Sequence, residues 1–193
     1  PAAAPHPAFQ SPLTLPAAPT ALASRAPVNA LAMAGSRWVA AGQRGHILFS
    51  DDGGKRWTQA AVPVSSDLTA LYFVDARQGW AVGHEGVILH SSDGGANWLV
   101  QLDGERAAQL IARQYGQAAQ PGDAAAERLA RAAATFGAQG ADKPFLDVYF
   151  ENEREGFAIG AFNMILRTED GGKSWTPWLH RVDNPDSLHL YAM

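Results

Sequence analysis

Ser50–Trp57 reads SDDGGKRW, and the chain says nearly the same thing twice more: SSDGGANW at Ser91–Trp98 and TEDGGKSW at Thr168–Trp175. One template covers all three: a hydroxyl residue, any residue, Asp, Gly, Gly, two variable positions and Trp. Asp52 and Asp93 are 41 residues apart and Asp93 and Asp170 are 77 apart, so one interval carries about 36 additional residues. A repeat of roughly 40 residues decides an architecture before any single residue does, because each unit buries its apolar face against the next.

Aligning the units on Asp brings more into register. A glycine stands ten positions before each Asp (Gly42, Gly83, Gly160), and three residues later come Gly45, Gly86 and Asn163. Glycine and asparagine share a tolerance of positive φ, so a tight turn with one left-handed residue is expected there. Short apolar runs, HILFS, VILHS and MILRT, lead from that turn into each hydroxyl residue, and WVAAG, WAVG and FAIG precede it. Further upstream, LTALYFVDARQG and FLDVYFENEREG alternate apolar and polar residues as half-buried strands do. Each unit therefore reads as four short antiparallel strands in a meander, the pattern of a β-propeller blade. The expected fold is all-β: a β-propeller of four-stranded blades, about three to four of them in this chain, as part of a seven-bladed ring.

In this scheme the octapeptide joins the third strand of a blade to the fourth. The carboxylates of Asp52, Asp93 and Asp170 accept backbone N–H groups of their own turns. The glycines, Gly54, Gly95 and Gly172 among them, adopt the unusual angles, and the hydroxyls of Ser50, Ser91 and Thr168 tie each turn's start to its end. Trp57, Trp98 and Trp175 then bury their rings against neighbouring strands. All twelve are assigned structural roles, with no catalytic residue among them.

The 193 residues suffice for a sizeable core, and 47% are apolar against 18% charged, so the chain is expected to fold. A net charge of -4 gives no reason to propose nucleic acid as a partner. There are no cysteines, hence no disulfides or thiolate chemistry. No apolar run reaches the ~18 residues that would span a bilayer. The six histidines, His6, His46, His84, His90, His180 and His189, show no metal-ligand spacing, so neither metal nor cofactor is expected. The Pro/Ala-rich start, residues 1–28, reads as an extended segment. It is either the mature end left after signal-peptide removal, which implies export to a periplasm or lumen, or a linker. Within it PLTLPA is a candidate closing strand or a surface strap.

The boxes resemble the Asp-box (BNR) repeat. Gly79–Trp98, GWAVGHEGVILHSSDGGANW, is similar to blades of the photosystem II assembly and stability factor family of plants and cyanobacteria, which has non-photosynthetic bacterial relatives. The resemblance covers about residues 35–102 and 141–193. It implies a seven-bladed propeller acting without catalysis, as a chaperone or scaffold in membrane-protein assembly. Asp boxes also occur in sialidases, but no Arg-Ile-Pro motif stands here. Asp147 and Glu155 are the carboxylates to weigh as a glycosidase pair.

Three boxes, with DSLHLYAM resembling the start of a fourth inner strand, leave a ring open. Open blades expose strand edges, so the remaining blades are expected from a longer chain or from another subunit. The extra residues, about 104–140, are rich in Ala, Glu, Arg, Gln and Leu. Ala107, Ile111 and Tyr115, then Leu129, Ala133 and Phe136, recur at helical spacing around a QPGD turn, with Asp123 as N-cap. The domain at 29–193 is thus a partial propeller interrupted by an α-helical hairpin.

In a meander the boxes share one face, and the second-to-third turns share the other with the blade-to-blade links, where the hairpin enters. Binding is commonly built where variable turns meet a non-repeat insertion. The candidate partner-binding residues are Arg44, His84, Glu85 and Phe162 on the turns, and Arg106, Arg113, Tyr115, Arg128 and Arg131 on the hairpin. The alternative is that the hairpin only caps a blade. The expected function is an exported, non-enzymatic scaffold, an accessory subunit to a membrane protein or membrane complex. A carbohydrate-binding or glycoside-hydrolase-like propeller is the alternative, with sugar expected at Trp80, His84 and Glu85.

Overall fold

The computed structural model describes residues 10–116 and 122–193. Among them stand three four-stranded antiparallel sheets, each a meander in chain order. The first blade comprises β1 (Val28–Ala34), β2 (Arg37–Gly42), β3 (Ile47–Ser50) and β4 (Thr58–Gln59). The second comprises β5 (Leu68–Phe73), β6 (Gly79–Gly83), β7 (Ile88–Ser91) and β8 (Leu99–Leu102). The third comprises β9 (Phe145–Phe150), β10 (Gly156–Gly160), β11 (Ile165–Thr168) and β12 (Thr176–Pro177). Between β8 and β9 lie α1 (Gly104–Tyr115) and α2 (Ala124–Gln139). The all-β propeller with a helical-hairpin insertion is what the repeats predict.

The inner strands β1, β5 and β9 lie side by side, and each blade buries an apolar face on the next. Val39, Ala41 and Ile47 of the first blade pack against Ala81, Leu89 and Trp98 of the second. Val82 and Ile88 of the second meet Phe145, Val148 and Leu166 of the third. There Trp80 stacks on Phe150 at 3.5 Å between centroids and 10° between planes.

The recurring glycine ten residues before each Asp has a steric cause. A Cβ at Gly42, Gly83 or Gly160 would lie 2.0, 2.2 or 2.3 Å from the carbonyl oxygen of Pro27, Asp67 or Pro144, where the chain enters the same blade. Each inner strand then skips one residue of its register, at Asn29, Thr69 and Leu146. In the first two blades that residue's side chain reaches the next blade: Asn29 Nδ2 donates to Leu68 O at 2.8 Å, and Thr69 Oγ1 to Phe145 O at 2.7 Å. These inter-blade bonds have no signature in the repeat alignment.

Several expectations need correction. Trp98 and Trp175 are 3% and 5% exposed, but Trp57 is only half-buried. The Trp of one blade packs on the outer edge of the preceding blade, as Trp98 does on Ala60 and Val62, and no described blade precedes Trp57. DSLHLYAM forms no strand. An inner strand is held by the second strand of its own blade, and with none paired to it the segment lies on the third blade instead. There Asn163 N donates to Leu188 O at 3.0 Å and Met193 N to Asp147 Oδ2 at 2.8 Å. PLTLPA supplies no closing strand either. It straps the outside of the first blade, with Ala17 N donating to Val62 O and Ser65 N to Pro12 O. Residues 1–9 of the Pro/Ala-rich segment, and Gln120 and Pro121 of the QPGD turn, lie outside the described residues. Apolar side chains stay exposed at both ends of the blade row, Leu31 and Met33 on the first and Tyr149, Tyr191 and Met193 on the last.

Candidate functional site

The three boxes are near-identical hydrogen-bond knots. The hydroxyl of Ser50, Ser91 or Thr168 donates to Oδ1 of its Asp at 2.9 Å each time. The same oxygen accepts from the backbone N–H of Gly54, Gly95 or Gly172 at 2.9, 2.9 and 2.8 Å. Oδ1 of each Asp also accepts the backbone N–H four residues on, at Arg56, Asn97 and Ser174, whose side chains cover Oδ2. The backbone and side-chain bonds from Arg56 hold the Asp52 carboxyl at about 2. Burial pulls Asp93 and Asp170 upward, but their side-chain and backbone bonds outweigh it and both titrate below the ordinary carboxylate range. With every oxygen engaged inside its own turn, these acids have a structural role.

The opposite turns carry the variable residues. Gly45, Gly86 and Asn163 adopt positive φ as expected, and so do the residues before them, Arg44 (56°), Glu85 (53°) and Phe162 (56°). Non-glycine residues in this region carry strain, which persists only where neighbours enforce it. Here the enforcing contacts are four-residue turns, with Gln43 O, His84 O and Ala161 O accepting from His46 N, Val87 N and Met164 N. The strain lifts Arg44 and Phe162 into solvent at one end of their blades, while Glu85 is half-buried.

The hairpin is rooted on this face: a Cβ on Gly86 would lie 2.6 Å from Gly104 Cα and 3.4 Å from Lys143 O. Asp103 caps α1 by accepting from Arg106 N, and Asp123 caps α2 by accepting from Ala125 N and Ala126 N. The helices are not confined to the turn face. α1 runs from the second blade to the third, where Gln114 Nε2 donates to Pro177 O at 2.8 Å.

The predicted partner-binding residues therefore divide. Tyr115 is withdrawn from them: it is 4% exposed, with its hydroxyl 3.1 Å from Pro177 O and 2.7 Å from His180 Nδ1. Tyr115 shares its helix face with Ala107 and Ile111, and that whole face is core. Burial, and then the Arg181 charge, lower the His180 pKa, leaving a neutral ring to meet the hydroxyl. Arg44 stands apart on the first blade, its N–H donating to Asp67 Oδ1. His84 and Glu85 mark the root of α1. Arg106 and Arg113 are exposed along α1, and Arg128 and Arg131 along α2.

Arg128, Arg131 and Phe162 come together at a trough. One wall is α2, the other the Phe162 turn and residues 179–187, and two adjoining hollows of 420 and 390 Å³ share Arg128, Ala132, Pro185 and Ser187. Sequence reading missed two of its members, Lys143 and Arg181. Lys143 is 5% exposed, its Nζ held by Gln139 Oε1 and Asp142 Oδ1 and lying 5.2 and 5.5 Å from the ring centres of Phe136 and Phe162. A lysine after an Ala-rich helix gives no signal of such burial.

The glycosidase geometry does not assemble. Register sets Asp147 opposite Ile159 on β10, while Glu155 lies beyond Gly156 at the other end of that strand pair. Trp80 is 1% exposed beneath Phe150 and offers no platform for sugar. Among the described residues no three His, Asp or Glu side chains cluster as metal ligands, and no helix is long and apolar enough to cross a membrane.

Meandering blades with this knot at each third turn define the chain as an Asp-box (BNR) β-propeller protein. It resembles one family in particular: residues 28–113 match the family model described as Photosynthesis system II assembly factor YCF48. Among solved structures, "YCF48 bound to D1 peptide" aligns over 88% of this chain with a TM-score of 0.51 and 16% identity. YCF48 from Cyanidioschyzon merolae aligns over 78%, with a TM-score of 0.50 and 17% identity. An ancestral GH74 enzyme aligns over 79% of this chain and 20% of its own, with a TM-score of 0.49 and 14% identity. The chain spans 42% and 40% of the lengths of the two YCF48 structures. No curated protein matches the sequence.

Proposed function

We propose that this protein is an exported, non-catalytic propeller that holds a segment of a membrane protein or membrane complex in the trough between α2 and the third blade, on the periplasmic or lumenal side. The observation that carries the reading is the trough's charge: Arg128 and Arg181 stand on its two walls, and neither has a carboxylate partner among the described residues. Guanidinium groups without a carboxylate partner on facing walls of a part-apolar channel, which Asp183 also lines, suit an extended acidic peptide, with Leu129 and Phe162 to take its apolar side chains. A similar fold has been solved with a D1 peptide bound, which supports a peptide as the kind of ligand.

The test is affinity capture from detergent-solubilised membranes with wild type and with the double variant Arg128→Glu/Arg181→Glu, alongside fractionation of the source cells. Deleting residues 104–140 would take Ile111, Tyr115 and Phe136 out of the core and uncover the blade residues of the same cluster, Ile88, Leu102 and Leu179 among them, so surface substitutions are the cleaner perturbation. A single membrane protein recovered by wild type and reduced at least tenfold by the double variant supports the reading. Equal recovery by both refutes it, and a cytoplasmic location refutes the exported part.

A further inference from the structure

On the other side of the hairpin, α1 and the third Asp box enclose a separate cavity of 280 Å³ that shares no lining residue with the trough. Arg106 and Arg113, two helical turns apart and so on one face of α1, meet Lys173 of the box across it. No Asp or Glu lines the cavity, and none of the three cations is in an ion pair among the described residues. Three like charges around one hollow repel one another unless an anion joins them.

A second observation points the same way. In the second blade the indole N–H of Trp98 donates to Gly95 O at 2.9 Å. Trp175 occupies the same place in the third blade and lines the cavity, yet its buried Nε1 has no partner. Beside it Gln101 donates through Nε2 to Gly171 O at 2.7 Å, with its Oε1 lodged against Gly172. A buried donor without a partner is uncommon in native proteins, and this one belongs to a residue that lines a cationic hollow.

We infer that this cavity is an oxyanion site, formed where the hairpin meets the repeat. Arg106, Arg113 and Lys173 supply the charge and the donors, and Trp175 Nε1 supplies one donor more. The chemistry is the same for free phosphate and for a phosphoryl group on a larger ligand.

The indole N–H resonances of the six tryptophans report directly. The uniformly ¹⁵N-labelled full chain is titrated with phosphate, sulfate, glycerol phosphate and chloride at constant ionic strength, with Trp175→Phe identifying the resonance. The expected result is a saturable shift of the Trp175 indole with phosphate and with sulfate, abolished in Arg106→Gln/Arg113→Gln while the other indoles keep their positions. No saturable shift, or the same drift in chloride, overturns the site. Glycerol phosphate binding as tightly as phosphate supports a phosphorylated ligand, and binding only of the free ion supports inorganic phosphate.

Discussion

Ser91→Ala removes one oxygen from the middle of the second Asp box. That oxygen donates to Asp93 Oδ1 and accepts from Gly95 N, both at 2.9 Å, and Gly95 is buried. The first loss is small, because Asp93 keeps bonds from Ala96 N, Asn97 N and Asn97 Nδ2. The second is larger: an amide that water does not reach loses its acceptor, at a cost of about 1–3 kcal/mol. Together they place the destabilisation at about 2–4 kcal/mol. Ser91→Thr serves as the control, since the third box uses Thr168 with the same three-way geometry; its cost is expected below about 1 kcal/mol. Urea unfolding followed by tryptophan fluorescence measures both, with an unchanged m-value showing that stability alone has moved. A Ser91→Ala midpoint within error of wild type would refute the view that the hydroxyl closes the turn, and with it the structural assignment of all three boxes.

Two further outcomes follow from geometry. Gly86→Ala forces a Cβ to 2.6 Å from Gly104 Cα at a residue with φ +60°; a loss of more than about 2 kcal/mol is expected, read as a lower urea midpoint and faster amide exchange in α1. On acidification, Asp52, Asp93 and Asp170 have folded pKa values below their unfolded ones, so the stability they contribute is complete above the unfolded value of 3.8 and disappears as pH falls through the folded values, about 2 for Asp52. The melting temperature should change little between pH 7 and 5 and drop below pH ~4, less steeply in Asp52→Asn; equal slopes in both proteins would remove Asp52 from this account.

What the sequence by itself determined is what is held together locally. The box spans eight residues, and every bond that defines it joins groups no more than four residues apart, so its composition is its structure. The same holds for the left-handed turns at Gly45, Gly86 and Asn163, for the Asp123 cap, and for the apolar spacing of both helices. Repetition then turned a local pattern into an architecture, because a four-stranded meander can bury its face only on another like it.

What the tertiary structure alone decided involves groups distant in the chain. Helical spacing put Ala107, Ile111 and Tyr115 on one face but could not say that this face turns inward, so Tyr115 read as a binding residue until Pro177 and His180 closed over it. Asn29 and Thr69 reach carbonyls 39 and 76 residues away. Arg128 meets Arg181 across a trough, and Trp175 meets Arg106 across a cavity, only because the hairpin folds back along the blades. Charge and burial at such places depend on what the chain brings up from elsewhere, and a repeat alignment, which compares each unit only with its own kind, carries no record of an insertion packing on its host.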